Sequence, residues 1–162
     1  MYFTWMDETP VGRLLLAGRD HALQYLLFDG TDSLTRHRVA LETWCRDDDR
    51  FAAAVQELTA SFAGELKEFQ VPVQPEGTEF QQLVWSALRH VPYGETATYG
   101  EIAAAIGRPR ASRAVGLANG CNPVSIMIPC HRIIGTSGKL VGYGGGLSTK
   151  ERLLSLEGAR LS

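Results

Sequence analysis

The chain has 162 residues, 16 Lys/Arg against 18 Asp/Glu, a formal net charge of −2 and 44% hydrophobic residues. That apolar fraction can close a core without disulfides or metal. No run of 18 apolar residues marks a membrane span, and the start, MYFTWMDETP, lacks the basic-then-apolar order of a signal peptide.

In chain order the first elements read as β. Tyr2–Met6, Arg13–Ala17 and Ala22–Phe28 are short apolar runs separated by Thr9-Pro10-Val11-Gly12 and Gly18-Arg19-Asp20. A helix follows over about Arg50–Ala63, where Phe51, Val55, Leu58 and Phe62 recur at helical spacing before Gly64. Residues 66–77, with Pro72, Pro75 and Gly77, read as an extended linker. Thr78 and Gln81 then form a capping box, and Phe80, Leu83, Val84, Ala87, Leu88 and Val91 predict a helix that buries one face before Pro92-Tyr93-Gly94. Thr98 with Glu101 opens a short helix, Tyr99–Ile106, closed by Gly107. After the turn Arg108-Pro109-Arg110 comes a second short helix, Ala111–Asn119, ending at Gly120. This pair reads as a helix-turn-helix over 98–120, or as a plain helical hairpin in the core.

Charge is unevenly distributed. Residues 1–77 hold 7 Lys/Arg and 13 Asp/Glu, a net of −6, whereas 78–162 hold 9 and 5, a net of +4. Ile102 to Lys150 contains Arg108, Arg110, Arg113, Arg132, Lys139 and Lys150 and no acid. A stretch that excludes carboxylates presents a positive surface to an anionic partner, unless the clustering is chance on a solvated face. The second helix, ASRAVGLAN, has Arg113 as its single long cationic side chain. It lacks the several Arg, Asn or Gln of a helix that reads base edges, but it could approach a duplex closely.

The chemical centre is Asn122-Pro-Val-Ser-Ile-Met-Ile-Pro-Cys130-His131-Arg132. A cysteine after an apolar run is, taken alone, more often a small buried hydrophobe. Beside an imidazole in an acid-free stretch it can instead be a nucleophile, provided a base or positive environment makes the thiolate. His131 is the candidate base, directly or through a water, and Glu157, near the end of the last helix, is the carboxylate that could orient it. Cys45 and Cys121 have no such surroundings. Three cysteines without a CxxC pair point to reduced thiols in the cytoplasm, not to a disulfide framework or zinc knuckle.

These residues resemble the O6-alkylguanine-DNA alkyltransferase family. Pro129-Cys130-His131-Arg132 followed by Ile133 matches its signature. Phe80–Trp85, Pro92-Tyr-Gly-Glu-Thr96, Arg113-Ala-Val-Gly116, Asn122-Pro123, Tyr143-Gly-Gly-Gly146 and Leu153-Leu-Ser-Leu-Glu157-Gly158 follow in the family's order. The match is strong over about 78–160. The resemblance implies a mixed α/β (α+β) fold. A small N-terminal ribonuclease H-like sheet-and-helix domain (1–77) would pack on a mainly helical domain (78–162) carrying the helix-turn-helix and the active-site cysteine loop.

It also implies single-turnover repair of double-stranded DNA, in which the alkyl group of O6-alkylguanine passes to Cys130 after base flipping; O4-alkylthymine is left open as a substrate. Cys130 would be the acceptor, His131 and Glu157 the relay, and Asn122 a brace between the recognition helix and the cysteine loop. Arg113 would fill the gap left by the flipped nucleotide and Tyr99 would press on its phosphate. Ala111, Ser112, Ala114 and Gly116 would lie against the minor groove with little sequence preference. Tyr143, Gly144, Ile133 and Ser125 would line the guanine pocket, with main-chain bonds to the base from Cys130, Ile133 and Gly144. Ser125 stands where several members have proline, which predicts weak inhibition by O6-benzylguanine. Gly144 replaces a serine of some members. No cofactor or metal is expected, nor a membrane, nor an added methylphosphotriester-sensing domain. The expected state is a monomer, with cooperativity on DNA left open. The alternatives are a non-catalytic alkyltransferase-like lesion binder, a helix-turn-helix regulator and a thiol hydrolase with a Cys-His-Glu relay.

Overall fold

The N-terminal half is an antiparallel meander of β1 (Tyr2–Met6), β2 (Leu14–Gly18) and β3 (Tyr25–Phe28). The two-residue β4 (Cys45–Arg46) adds parallel to β1, so the strand order is β3-β2-β1-β4. A computed structural model describes residues 1–138, 140 and 142–159. Side chains alternate along β2. Leu14 and Leu16 enter the main core, while Leu15 and Ala17 meet a second cluster closed by Leu34, Val39, Leu41 and Trp44. Because both faces are covered, β2 is an unbroken apolar run rather than an alternating one. The covering segment includes α1 (Ser33–Arg36), an element that the sequence reading did not anticipate.

The third strand is shorter than expected, beginning at Tyr25 instead of Ala22, because its outer edge is used differently. The Leu23 amide donates to Pro72 O (2.9 Å) and Gln74 N donates to Leu23 O (2.8 Å), so the linker runs beside the strand. Farther along, Leu26 N donates to Pro123 O (2.9 Å) and Ser125 N donates to Leu26 O (3.0 Å). The open edge of β3 is thereby satisfied by the chain that leads to Cys130.

A 3-10 turn (Asp49–Phe51) leads into α2 (Ala52–Phe62), which sends Ala54 and Leu58 into the core. The helix α3 (Glu79–Leu88) begins with the predicted capping box, both reciprocal bonds present. Its buried stripe is Val84, Trp85 and Leu88, and Leu83 is exposed, contrary to the expected pattern. The indole of Trp85 takes the inward position, its Nε1–H donating to Ala118 O at 2.9 Å, and this turns Leu83 outward.

The second capping box also forms, opening α4 (Tyr99–Ala105), and Gly107 ends that helix at φ +77°. The following α5 (Ser112–Gly120) packs on α3 and α4, completing the helix-turn-helix. A parallel pair, β5 (Ala97–Thr98) with β6 (Ile133–Ile134), sets the start of α4 beside the residues after Cys130. Last comes α6 (Leu147–Leu156). Leu14, Leu16, Leu26 and Phe28 share one core with Val84, Trp85, Val115, Ile128 and Cys130, so the sheet packs directly on the helical half. The fold is the mixed α/β arrangement anticipated. No helix among the described residues is long and apolar enough to cross a membrane.

Candidate active site and nucleic-acid interface

Residues 122–130 form a buried loop between α5 and a 3-10 turn, Cys130–Arg132. Asn122 holds the loop from within: its Nδ2 donates to Ile128 O (2.8 Å) and its Oδ1 accepts from Val124 N (3.0 Å). Both ends of the amide thus bond loop backbone within residues 122–128. Ile126 sits at φ +73°, a conformation that a β-branched residue adopts only under constraint. The β3 edge on one side and Asn122 on the other supply that constraint.

His131 follows the thiol and is fully buried. Its Nε2 lies 3.0 Å from Glu157 Oε2. Glu157 caps the C-terminal end of α6 and is also gripped by Arg132, whose Nε donates to Oε1 (2.9 Å) and Nη2 to Oε2 (2.8 Å). The remaining Arg132 nitrogen, Nη1, donates to Val91 O (2.7 Å). Burial pushes the Glu157 carboxyl upward, but the Arg132 and His131 hydrogen bonds and charges outweigh it and hold it at about 2. Burial lowers the His131 pKa, against the pull of Glu157. The imidazole is therefore neutral in the resting protein, with Nδ1 buried and unpartnered among the described residues. Arg132, which the sequence reading left as part of a motif, is the group that fixes the carboxylate.

The thiol of Cys130 is 4% exposed, and burial pushes its pKa up. Asn122, Lys150 and Tyr143 pull in the other direction without overcoming burial. The positive surroundings inferred from the acid-free stretch thus do not by themselves make a thiolate. Lys150, on α6, is completely buried; its Nζ donates to Ile133 O, and burial lowers its pKa to about 8. It remains charged at neutral pH and acts on the thiol. Sequence reasoning counted Lys150 only as one charge in a run. A lysine among Leu153 and Leu154 on a helix gives no other signal of burial.

In front of the thiol opens a cavity of about 360 Å³ bordered by Tyr99, Asn119, Asn122, Ser125, Tyr143 and Gly144. Ile133, expected in the pocket wall, is fully buried and is not among the residues that line the cavity. The Tyr143 ring stands edge-on to Phe28 from β3 (centroids 5.7 Å, 67°), so the N-terminal sheet shapes this wall. Gly145 is required there, since a Cβ would fall 2.8 Å from the Phe28 ring. The Tyr143 hydroxyl is sealed from solvent and faces Cys130 and Ser125. Burial raises the Tyr99 pKa, and its ring lies beside α5 at Gly116, where a Cβ would meet it at an ordinary contact distance of 3.8 Å.

The outward face of α5 carries Arg113, Ala114 and Leu117, all exposed, with Leu117 at 70%. Ala111 and Ser112 lie half-buried at its N-terminal end. Small residues, one cation and one apolar side chain suit close approach to a groove rather than reading of base edges. Leu117 escaped sequence reasoning because an apolar residue on an amphipathic helix is expected to point inward. Arg36 of α1 donates to Gly120 O (3.1 Å), placing a cation at the C-terminal end of α5. The acid-free stretch divides in space. Arg108, Arg110 and Arg113 are exposed on the helix-turn-helix, Arg132 and Lys150 are buried behind the thiol, and Lys139 lies outside the described residues.

Family models match both halves of the chain: the "6-O-methylguanine DNA methyltransferase, ribonuclease-like domain" over residues 1–75, and the "6-O-methylguanine DNA methyltransferase, DNA binding domain" over 79–159. A methylated-DNA–protein-cysteine methyltransferase of Methanosarcina acetivorans is 51% identical, covering 98% of this chain and 99% of the relative. One from Mycolicibacterium paratuberculosis is 54% identical over 93% of this chain and 88% of its own. The crystal structure of Mycobacterium tuberculosis OGT in complex with DNA superposes with a TM-score of 0.89 at 49% identity, covering 98% of this chain and 93% of that one.

Proposed function

Because this chain belongs to the 6-O-methylguanine-DNA methyltransferase family, we propose that its direct-reversal repair of DNA proceeds by transfer of an alkyl group from O6 of guanine to Cys130. The observation that carries the choice of residue is the buried chain His131–Glu157–Arg132 directly behind Cys130. Neither of the other two cysteines has such a neighbour; Cys45 and Cys121 are exposed.

DNA is the partner, and the finer reading concerns how it is held. The exposed face of α5 lies in the minor groove of a duplex with little sequence preference. Arg113 occupies the space of the flipped nucleotide, and Tyr99 at the cavity mouth turns it out. Flipping costs a few kcal/mol, least for a weakened pair, so an alkylated guanine is favoured over an intact one. His131 takes the thiol proton, through a bridging water at Nδ1, and Glu157 stabilises the imidazolium. The Cys130 sulfur attacks the alkyl carbon, the carbon–O6 bond breaks, and its electron pair goes to the guanine ring. The leaving base is neutralised by a proton returned from the relay, with Tyr143 and the Gly144 amide beside O6. The product is a thioether, a poor leaving group, so each molecule turns over once.

The same reading divides the chain into a 1–77 α/β domain and a 78–162 alkyltransferase domain; the family models support it by meeting between residues 75 and 79. It also takes the protein to act as a monomer in the cytoplasm, where free thiols persist. The test is intact mass after incubation with a duplex containing O6-methylguanine. A gain of one methylene, mapped to Cys130 and absent in Cys130→Ser, is expected. No gain with the lesion duplex still bound would favour a lesion-sensing role instead.

A further inference from the structure

Leu117 is the most exposed of the large apolar side chains among the described residues, at 70% against 50% for Leu147 and 39% for Leu83. A lone exposed leucine is ordinary on a protein surface. The position of this one on α5 singles it out. At about 100° per residue, the helix turns Gly116, Asn119 and Gly120 toward the cavity that they border with Cys130. Arg113 comes next around the helix, and Leu117, one turn beyond it, lies on its far flank beside Ala114. Arg108, Arg110 and Arg113 are exposed toward the N-terminal end of α5, and Arg36 donates to Gly120 O at the other end. Leu117 thus lies between cations suited to phosphates and is itself unable to bond one.

A nucleotide that swings into the cavity passes on the Gly116–Gly120 side, so Leu117 stays against nucleotides that remain stacked. The walls of a minor groove are the C–H edges of deoxyribose, an apolar surface open to a helix lying in it. In RNA the same edge carries a 2′-hydroxyl. We propose that Leu117 is a specificity-determining residue of the DNA interface. It packs on the deoxyribose edges flanking the lesion, adds a grip that salt does not screen, and disfavours ribose at that place. A 2′-hydroxyl set against a leucine loses water without gaining a partner, and this makes the contact selective. The inference rests on the docking of α5 in the minor groove and adds a contact to sugar to those made with phosphate and with the flipped nucleotide. The competing occupant of this face is a second copy of the chain, which would meet the same leucine without DNA.

The experiment compares the full wild-type chain with Leu117→Ala, which removes an exposed side chain and should fold normally. Binding of a duplex containing O6-methylguanine is expected to weaken by about tenfold. The log–log dependence on salt should keep its slope, because no ion pair is lost. Single ribonucleotides are then placed in turn at each position flanking the lesion, in both strands. At the position that faces Leu117, the wild-type chain should bind about fivefold more weakly than to the all-deoxy duplex, and Leu117→Ala about equally to both. Wild-type affinity in the variant, a changed salt slope, or ribose penalties alike in the two proteins overturns the inference while leaving Cys130 alkylation intact. A dimer of the free wild-type chain that Leu117→Ala dissociates in sedimentation also overturns it, and gives the leucine to a second copy. No binding of the lesion duplex by the wild-type chain overturns the docking reading and this inference with it.

Discussion

Replacing Glu157 with glutamine separates the relay's effects on stability and chemistry. The wild-type carboxylate is held at about 2 against an ordinary value of 4.5, a difference equivalent to about 3 kcal/mol at neutral pH. Its folded pKa is depressed, so this contribution is complete above pH 4.5 and is lost as pH falls through 2. Glutamine preserves the shape but removes the charge, and its NH2 must face a donor, either His131 Nε2 or Arg132. The Arg132 side chain is 7% exposed and would keep only Val91 O and part of the amide as partners. Leaving such a cation without its counter-ion costs about 3–5 kcal/mol. The imidazole loses its orienting carboxylate as well, which should slow transfer by about 10²- to 10⁴-fold. Urea unfolding at several pH values and single-turnover transfer at pH 7 measure the two effects. The stability gap should be about 3 kcal/mol or more at pH 7 and narrow between pH 4.5 and 2. A variant within about 0.5 kcal/mol of wild type, or one that transfers at the wild-type rate, would refute the relay argument.

Lys150→Met should lower transfer at neutral pH by about tenfold, since a buried cation of pKa about 8 no longer favours the thiolate; a shift of the rate–pH profile to higher pH would be the signature, and an unshifted profile would contradict it. Arg113→Ala should cut the rate by about ten- to a hundredfold while weakening duplex binding much less, because the side chain acts on the flipped state; fluorescence of a 2-aminopurine beside the lesion would report the lost flipping. Duplex affinity should fall with salt at a log–log slope of roughly −3, if Arg108, Arg110 and Arg113 each displace a counter-ion, and a flat response would argue against α5 as the docking face. O6-benzylguanine should inactivate the protein poorly, since Ser125 offers a hydroxyl where an apolar wall would hold the benzyl ring; potent inactivation at low micromolar concentration would count against this.

Local signals in the sequence were decisive where the chain governs itself. Both capping boxes form as read, because Thr78 with Gln81 and Thr98 with Glu101 need only four consecutive residues. The Gly107 stop, at φ +77°, is equally local, whereas α4 and α5 come together by packing on each other and on α3. Chemistry and the family resemblance pair His131 with Glu157, 26 residues away, and the two side chains meet at 3.0 Å. What only the tertiary structure decided depends on distant chain. Arg132 clamps Glu157 because the 3-10 turn Cys130–Arg132 packs against α6. Lys150 is charged yet buried because Ile133 O and the thiol lie beside it. Asn119, near the end of α5, is buried with its Oδ1 unpartnered among the described residues. The pairing of β3 with Pro123–Ser125 joins two halves of the chain through backbone groups that every residue carries, so no side-chain pattern announces it. Period and capping are written in neighbouring residues, whereas the partner of a buried charge or an open strand edge is settled only when the whole chain has packed.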